Sequence, residues 1–261
     1  IRDVERSRGL GDVYKRQMLR FYYVAGSSPY FVVHMLLKYH KYMNHPEKYN
    51  REDKYRLAQH IMDHMRRRGR TKTEVFGLDN LPKDTGYIIY PNHQGKYDAL
   101  GIMLYHDEPM GVLMEKKQSE KIVAKQVIDL VEGKRLDFDD PRQQLRVLNE
   151  IGQEVAAGRK YLIFPEGKWS DNKNKLQKFN SGCFRCSIAS KTPIVPCVLV
   201  DSYKALNGNS LKKCTTQIHY LTPIPYEEYK DLKKTEISEL VKSRIQTKLD
   251  EILEERDKAN D

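Results

Sequence analysis

The chain has 261 residues, 39% hydrophobic and 31% charged, with a formal net charge of +10. That length can bury one sizeable core, and the composition is globular, which argues against a disordered chain. The basic excess points to an anionic partner, a membrane surface or a nucleic acid, and four cysteines are too few for a disulfide scaffold in a chain this long.

In chain order, the first seventeen residues, IRDVERSRGLGDVYKRQ, carry no apolar h-region and so do not read as a secretory signal. They resemble translated adapter sequence, which makes Met18 the expected native start and residues 1–17 a non-native leader. From Met18 to Tyr42 the chain is apolar and aromatic, interrupted by GSSP. Its longest apolar run, PYFVVHMLL, is far below the roughly 18–20 residues that span a bilayer. Tyr22, Tyr23, Tyr30 and Phe31, with Lys38 and Lys41 beside them, suit a membrane-interface segment. The same pattern also fits a helical hairpin packed on the protein's own core.

A helix is predicted from Asn50 to Arg68, closing on Arg66, Arg67, Arg68, Arg70 and Lys72. A polybasic patch beside an apolar anchor fits anionic lipid, and no nucleic-acid-binding motif accompanies the charge. His60 and His64 stand four apart, but no glutamate follows His60 as H-E-x-x-H requires, so no metal is expected.

From Thr71 onward, short β-branched or aromatic runs alternate with helical patterns. Strands are predicted at 73–77, 86–91, 110–114, 160–165, 193–200 and 217–221. Helices are predicted at 98–105, 119–130, 141–157 and 181–189, with a covering helix over 235–258. The alternation predicts an α/β fold with a mixed, largely parallel central sheet flanked by helices, preceded by an N-terminal helical membrane-interface segment. The expected organisation is a helical interfacial segment at 18–70, an α/β domain at 71–225 and a helical tail at 226–261. Cys183 and Cys186 form a C-x-x-C inside an ordinary helical pattern, and all four cysteines read as structural thiols.

The strongest chemical signal is GYIIYPNHQGKYDALG. A buried strand ends at Pro91, a polar turn holds Asn92, His93, Gln94 and Gly95, and Asp98 opens an apolar helix. In a continuous helix or strand, His93 and Asp98 would point to different faces, so they meet only if the chain turns between them. Gly95 makes such a turn easy. The carboxylate would then hold one imidazole nitrogen as N–H and leave the other free to take a proton from a hydroxyl. Spacing alone leaves a second reading open, a histidine in a turn with Asp98 as a simple helix cap. No serine or cysteine stands in a nucleophile elbow, so direct attack by a substrate alcohol is the simpler chemistry.

NHQGKYD resembles the N-H-x-x-x-x-D box of the glycerolipid acyltransferases, 1-acylglycerol-3-phosphate acyltransferases above all. FGLDNLPKDTGYIIYPNH is similar to that family's lead-in, YLIFPEGKWSD to its F-P-E-G block and TPIVPCVL to its later P-[IV]-[IV]-P block. Together these cover about residues 73–200 in the family's order. The resemblance implies that His93 is the base and Asp98 its orienting acid, with Asn92 beside them. Glu166 and Gly167 would belong to the acceptor-binding block. Read by residue type, FPEG followed by Lys168 and Ser170 supplies a flexible backbone, a cation and a hydroxyl for a phosphate, although a strand running into a polar glycine turn is also common.

Two positions depart from the family. Trp169 stands where E-G-T-R-S has its arginine, with Lys168 beside it as a substitute charge. Phe138 falls where a second arginine is usual, and Lys116 or Lys117 with Arg135 or Lys134 would supply that block's cations. The expected partners are an acyl-CoA or acyl-carrier-protein donor, a lysophospholipid acceptor and the anionic cytoplasmic membrane face. No metal, organic cofactor or nucleic acid is expected. The acceptor is expected to be lysophosphatidate, with glycerol-3-phosphate or another lysolipid as the alternative. A non-catalytic lipid-binding protein on the same fold is the rival of a different class.

Overall fold

The computed structural model describes residues 19–259. The expected leader at 1–17 lies outside them. Two helices open the described chain, α1 (Leu19–Gly26) and α2 (Pro29–Asn44), and α3 (Arg51–Arg68) follows. Asn50 caps α3 by accepting from Asp53 N, and Asp53 returns the bond to Asn50 N. This reciprocal cap satisfies two amides that the helix start would otherwise leave unbonded.

The α/β part runs β1 (Thr71–Phe76), β2 (Tyr87–Pro91), α4 (Asp98–Leu104), β3 (Met110–Glu115), α5 (Lys116–Ser119), α6 (Ala124–Leu130), β4 (Lys134–Leu136), α7 (Pro141–Ala156) and β5 (Lys160–Leu162). It continues through α8 (Arg185–Ser190), β6 (Ile194–Val200), α9 (Tyr203–Leu206), β7 (Cys214–Tyr220), α10 (Tyr226–Tyr229) and the long α11 (Lys234–Lys258). The strands form one sheet in the order β1-β7-β6-β2-β5-β3-β4. Every pairing is parallel except β6 with β7. The mixed, largely parallel sheet read from the sequence is the observed one.

The central strands read as continuous apolar runs because both faces of the sheet are covered. Successive side chains alternate between two cores. Tyr87 and Ile89 of β2, Leu162 of β5, and Val195, Cys197 and Leu199 of β6 pack with α2, α3 and α6. Ile88 and Tyr90, Tyr161, and Ile194, Val198 and Val200 face the other way, against α7, α8 and α11. The N-terminal helices therefore share a core with the sheet. α1 is pinned by the buried guanidinium of Arg20, which donates to Lys204 O at 2.8 Å, to Cys214 Sγ at 2.9 Å and to Lys212 O.

Three expectations need correction. The helix read over 119–130 forms only from Ala124, as α6. α5 ends at Ser119, and residues 120–123 are turns and a bend closing at Val123, whose φ of 74° a helix cannot contain; Gln126 Oε1 takes the amide freed there. The last strand begins at Cys214, three residues earlier than read, because Thr216 is buried in a bonded row with Thr73 and Tyr97 and carries no apolar signal. The edge strand β4 escaped notice, having three residues and no alternation of burial.

Candidate active site

β6, β2 and β5 are adjacent and parallel, so the segments leaving their carboxyl ends converge. The turn after β2 carries His93, the segment after β5 carries Glu166, and the segment after β6 carries Ser202. Ligand sites in open α/β sheets gather at this edge.

His93 Nδ1 lies 2.8 Å from Asp98 Oδ2. A carboxylate accepts, so Nδ1 carries the proton and donates. The same Oδ2 accepts from Gln94 N at 2.5 Å and Gly95 N at 2.8 Å, while Oδ1 accepts from Ser202 Oγ at 2.5 Å. Asp98 is thus wholly buried yet fully bonded, whereas His93 keeps 16% side-chain exposure. Phe164 stacks on the imidazole, centroids 4.1 Å apart, and fixes its plane. Nε2 makes no hydrogen bond among the described residues. The arrangement is an oriented imidazole with one nitrogen open for proton transfer.

The turn is locked from beneath by two buried amides. Asn92 bridges both backbone groups of Leu199, at 3.0 and 2.7 Å. Gln94 donates to Leu199 O at 2.8 Å and Asn174 Oδ1 at 3.0 Å and accepts from Ser202 N at 2.8 Å. The fully buried Asn92 therefore holds the turn on β6 and offers nothing to a ligand. Gly95 has no left-handed φ. Its bare Cα is needed for close approach, since a Cβ there would stand 2.6 Å from Asn207 Nδ2. Asn207 Oδ1 in turn accepts from Lys96 N at 3.2 Å. The amides of Gln94, Gly95 and Lys96 are all consumed within the fold.

FPEG forms a turn, Phe164 O accepting from Gly167 N at 3.1 Å. Pro165 suits its second position. Gly167 has φ 74°, a conformation that favours glycine. Glu166 is folded inward; Oε2 accepts from Gln177 Nε2 at 2.5 Å and Oε1 is buried with no partner among the described residues. Burial pushes its carboxyl above the usual carboxylate range, with Gln177 and the His93 backbone acting against that. Glu166 is therefore brought to the His93 backbone, while Gly167 serves to close the turn that carries it. Lys168 Nζ instead lies 5.4 Å above the Phe138 ring, and the exposed Ser170 bonds Gln177 at 3.0 Å.

Lys117 and Arg135 are engaged elsewhere. Lys117 Nζ pairs with Asp139 at 2.8 Å on the surface. Arg135 pairs with Asp129 at 2.5 Å and Glu120 at 3.4 Å. It lines a cavity of about 760 Å³ with Glu154 and Arg159, which His93 does not reach. His60 and His64 both face the Phe31 ring, at 5.6 and 3.5 Å. Burial pushes the Cys186 thiol up to about 12, which leaves it inert.

Residues 72–200 match the family model described as Acyltransferase. Those residues form an acyltransferase-family domain. An uncharacterized protein of Mycobacterium leprae is 30% identical over 141 residues, 50% of this chain and 37% of that protein. The 1-acyl-sn-glycerol-3-phosphate acyltransferase alpha of Ovis aries is 24% identical over 163 residues, 61% of this chain and 56% of that enzyme. This chain thus spans between about a third and somewhat over half of these relatives' length. The fold matches the crystal structure of the 1-acyl-sn-glycerophosphate (LPA) acyltransferase PlsC from Thermotoga maritima with a TM-score of 0.66 at 16% identity, covering 93% of this chain and 97% of that one.

Within the acyltransferase-family domain and just beyond it, reasoning from sequence missed Ser202, Asn174 and Asp201. Asp201 has φ 58° and is held by Asn174 on both its N–H and its carboxylate, each at 2.9 Å. Lys204 at 2.7 Å and Arg256 of α11 at 3.3 Å close on the same carboxylate. This aims Ser202 at Asp98. An aspartate directly after an apolar strand, at a position tolerating φ above zero, is the one local signal that could have marked it.

Proposed function

We propose that this protein transfers a fatty acyl group from a thioester, acyl-CoA or acyl-carrier protein, to the free hydroxyl of lysophosphatidate, making phosphatidate. The observation that carries this is an oriented His93, with Nδ1 bound to Asp98 and Nε2 free, at the carboxyl edge of an acyltransferase-family domain.

Nε2 takes the hydroxyl proton as the acceptor oxygen attacks the thioester carbonyl. The carbonyl π electrons move to oxygen and a tetrahedral oxyanion forms. Its collapse breaks the C–S bond, and the departing thiolate recovers the proton from the imidazolium. Asp98 stabilises the imidazolium in between and keeps its ring oriented. The buried Oε1 of Glu166 is an acceptor for a second hydroxyl or a head-group donor beside His93. No step calls for a metal or an organic cofactor.

Membrane attachment by α1 and α2 belongs to the same reading. Leu19, Tyr22 and Tyr23 on α1, and Tyr30, Val33 and Leu37 on α2, are exposed at helical spacing. Arg20, Val24, Met35 and Tyr39 bury the opposite faces. No helix among the described residues is long and apolar enough to cross a membrane. An apolar stripe with aromatic rings and nearby cations suits the lipid interface, and the cytoplasmic leaflet supplies its anionic charge.

A panel of acceptors with a labelled acyl donor tests the proposal. Transfer to lysophosphatidate above glycerol-3-phosphate and monoacylglycerol is expected. Preference for glycerol-3-phosphate would move the assignment to an earlier acylation, and transfer to no acceptor would favour a lipid-binding module.

A further inference from the structure

Lys96 sits inside the His93–Asp98 turn, and nothing in the proton-transfer arrangement uses its side chain. The backbone N–H is taken by Asn207. The side chain folds over two aromatic rings, Nζ lying 4.7 Å from the centroid of Trp169 and 5.9 Å from that of Phe21. It forms no ion pair with any described residue. Burial, and after it the like charge of Lys121, push the Lys96 ammonium below its usual range, and among the described residues no opposite charge acts against them. Among the described residues Lys121 likewise forms no ion pair, its Nζ donating to the neutral amide of Gln118.

Half-burying an ammonium costs free energy, and placing a second cation nearby adds to the cost. A cation–π contact offsets part of it and fixes the ammonium's position. Among the described residues, neither lysine meets an anion. The position is also right for a substrate charge. Lys96 is three positions after His93, so their Cα atoms are within about 11 Å. Trp169 follows Glu166 by three residues, and Glu166 packs against the His93 backbone.

We propose that Lys96, seated on Trp169 and joined by Lys121, binds the phosphate monoester of the acceptor and so sets the acceptor hydroxyl against His93. The proposal rests on reading this site as one of acyl transfer, and it names the acceptor class as phosphate-bearing. The aromatic at 169 then acts as the platform for a cation delivered by the neighbouring turn.

Trp169 is the only tryptophan in the chain, so its emission, excited at a wavelength tyrosine does not absorb, reports on this contact. Titration with glycerol 3-phosphate should change the emission saturably, and glycerol should not. Lys96→Gln should abolish the change, Lys96→Arg should retain it because a guanidinium also stacks on indole, and Lys121→Gln should weaken it several-fold. In turnover, Lys96→Gln should raise KM for lysophosphatidate about ten- to a hundredfold, the worth of one charge-assisted bond, and leave KM for monoacylglycerol unchanged. Coenzyme A, which carries phosphates of its own, separates the two sources. A response to coenzyme A without one to glycerol 3-phosphate overturns the acceptor assignment. Loss of the response in Lys96→Arg as well as Lys96→Gln, or no response in the native protein, overturns the site. Acyl transfer with an unchanged lysophosphatidate KM in Lys96→Gln sinks this proposal alone. An intact Trp169 response in a protein that transfers nothing supports the anion site and sinks the catalytic reading.

Discussion

Replacing Asp98 by asparagine removes one charge and almost no volume. Oδ2 accepts from three donors, His93 Nδ1, Gln94 N and Gly95 N, whereas Oδ1 faces only Ser202 Oγ. An asparagine therefore fits one way, oxygen toward the turn and NH2 toward Ser202, whose hydroxyl rotates to accept. The bonded geometry survives and the charge beside the imidazole does not. Unit charges 4 Å apart attract by about 4 kcal/mol at an effective dielectric of about 20. Since 1.36 kcal/mol is tenfold in rate, losing that stabilisation of the imidazolium lowers kcat by about 10³. Folding suffers less, because charge-assisted bonds become neutral ones at about 1–3 kcal/mol in sum. Single-turnover acyl transfer with a labelled donor, beside thermal unfolding, reads both. Near-native turnover in Asp98→Asn would refute the catalytic role and leave Asp98 a structural brace of the turn, because an asparagine oxygen also accepts from Gln94 N and Gly95 N.

Ser202→Ala strands a buried carboxylate oxygen at a cost of about 1–3 kcal/mol; thermal unfolding should show the loss and kcat should fall with acceptor KM unchanged, while Ser202→Thr restores both. A KM effect with kcat intact would mean that Ser202 touches substrate. His219, stacked on Phe76 at 4.4 Å, is pushed down to about 4 by burial and by Lys248. The unfolded chain takes up that proton near 6.5 and the folded one only near 4. Its contribution to stability is thus full above pH 6.5 and lost as pH falls toward 4. His219→Gln should flatten the decline in melting temperature over that window, and parallel profiles would contradict it. Tyr30→Ser with Leu37→Ser, both on the exposed stripe, should abolish co-sedimentation with anionic vesicles at unchanged melting temperature; undiminished binding would place the membrane contact elsewhere.

The sheet was legible because its central strands are buried on both faces, which leaves an uninterrupted apolar run in sequence for β2 and β6. The site was legible where chemistry is concentrated in one short segment, as in residues 92–98. Less of it was legible where contacts come from afar. Ser202 meets Asp98 across a separation of 104 residues, and neither residue's neighbourhood announces the other. Arg135 is a basic residue at a plausible position, but Asp129 captures it at 2.5 Å. Asn92 reads as a polar residue beside a base and proves to be a brace, since only the fold shows that β6 takes both ends of its amide. Gly95 reads as a flexible turn, whereas the demand on it is room for Asn207. The outward apolar stripe was half legible: composition left an interfacial segment and a hairpin packed on the core both open, and only the fold, through buried Arg20, Val24, Met35 and Tyr39, showed which faces turn to the protein.

The most direct measurement is turnover of His93→Ala with lysophosphatidate and a labelled acyl thioester, against native protein at equal folded concentration. His93 lies at the site's surface with 16% exposure, so its loss should leave the fold intact. Turnover is expected to fall by about 10²–10⁴, the usual worth of a general base. Transfer by His93→Ala within a few-fold of the native rate would contradict the assignment of His93 as the base.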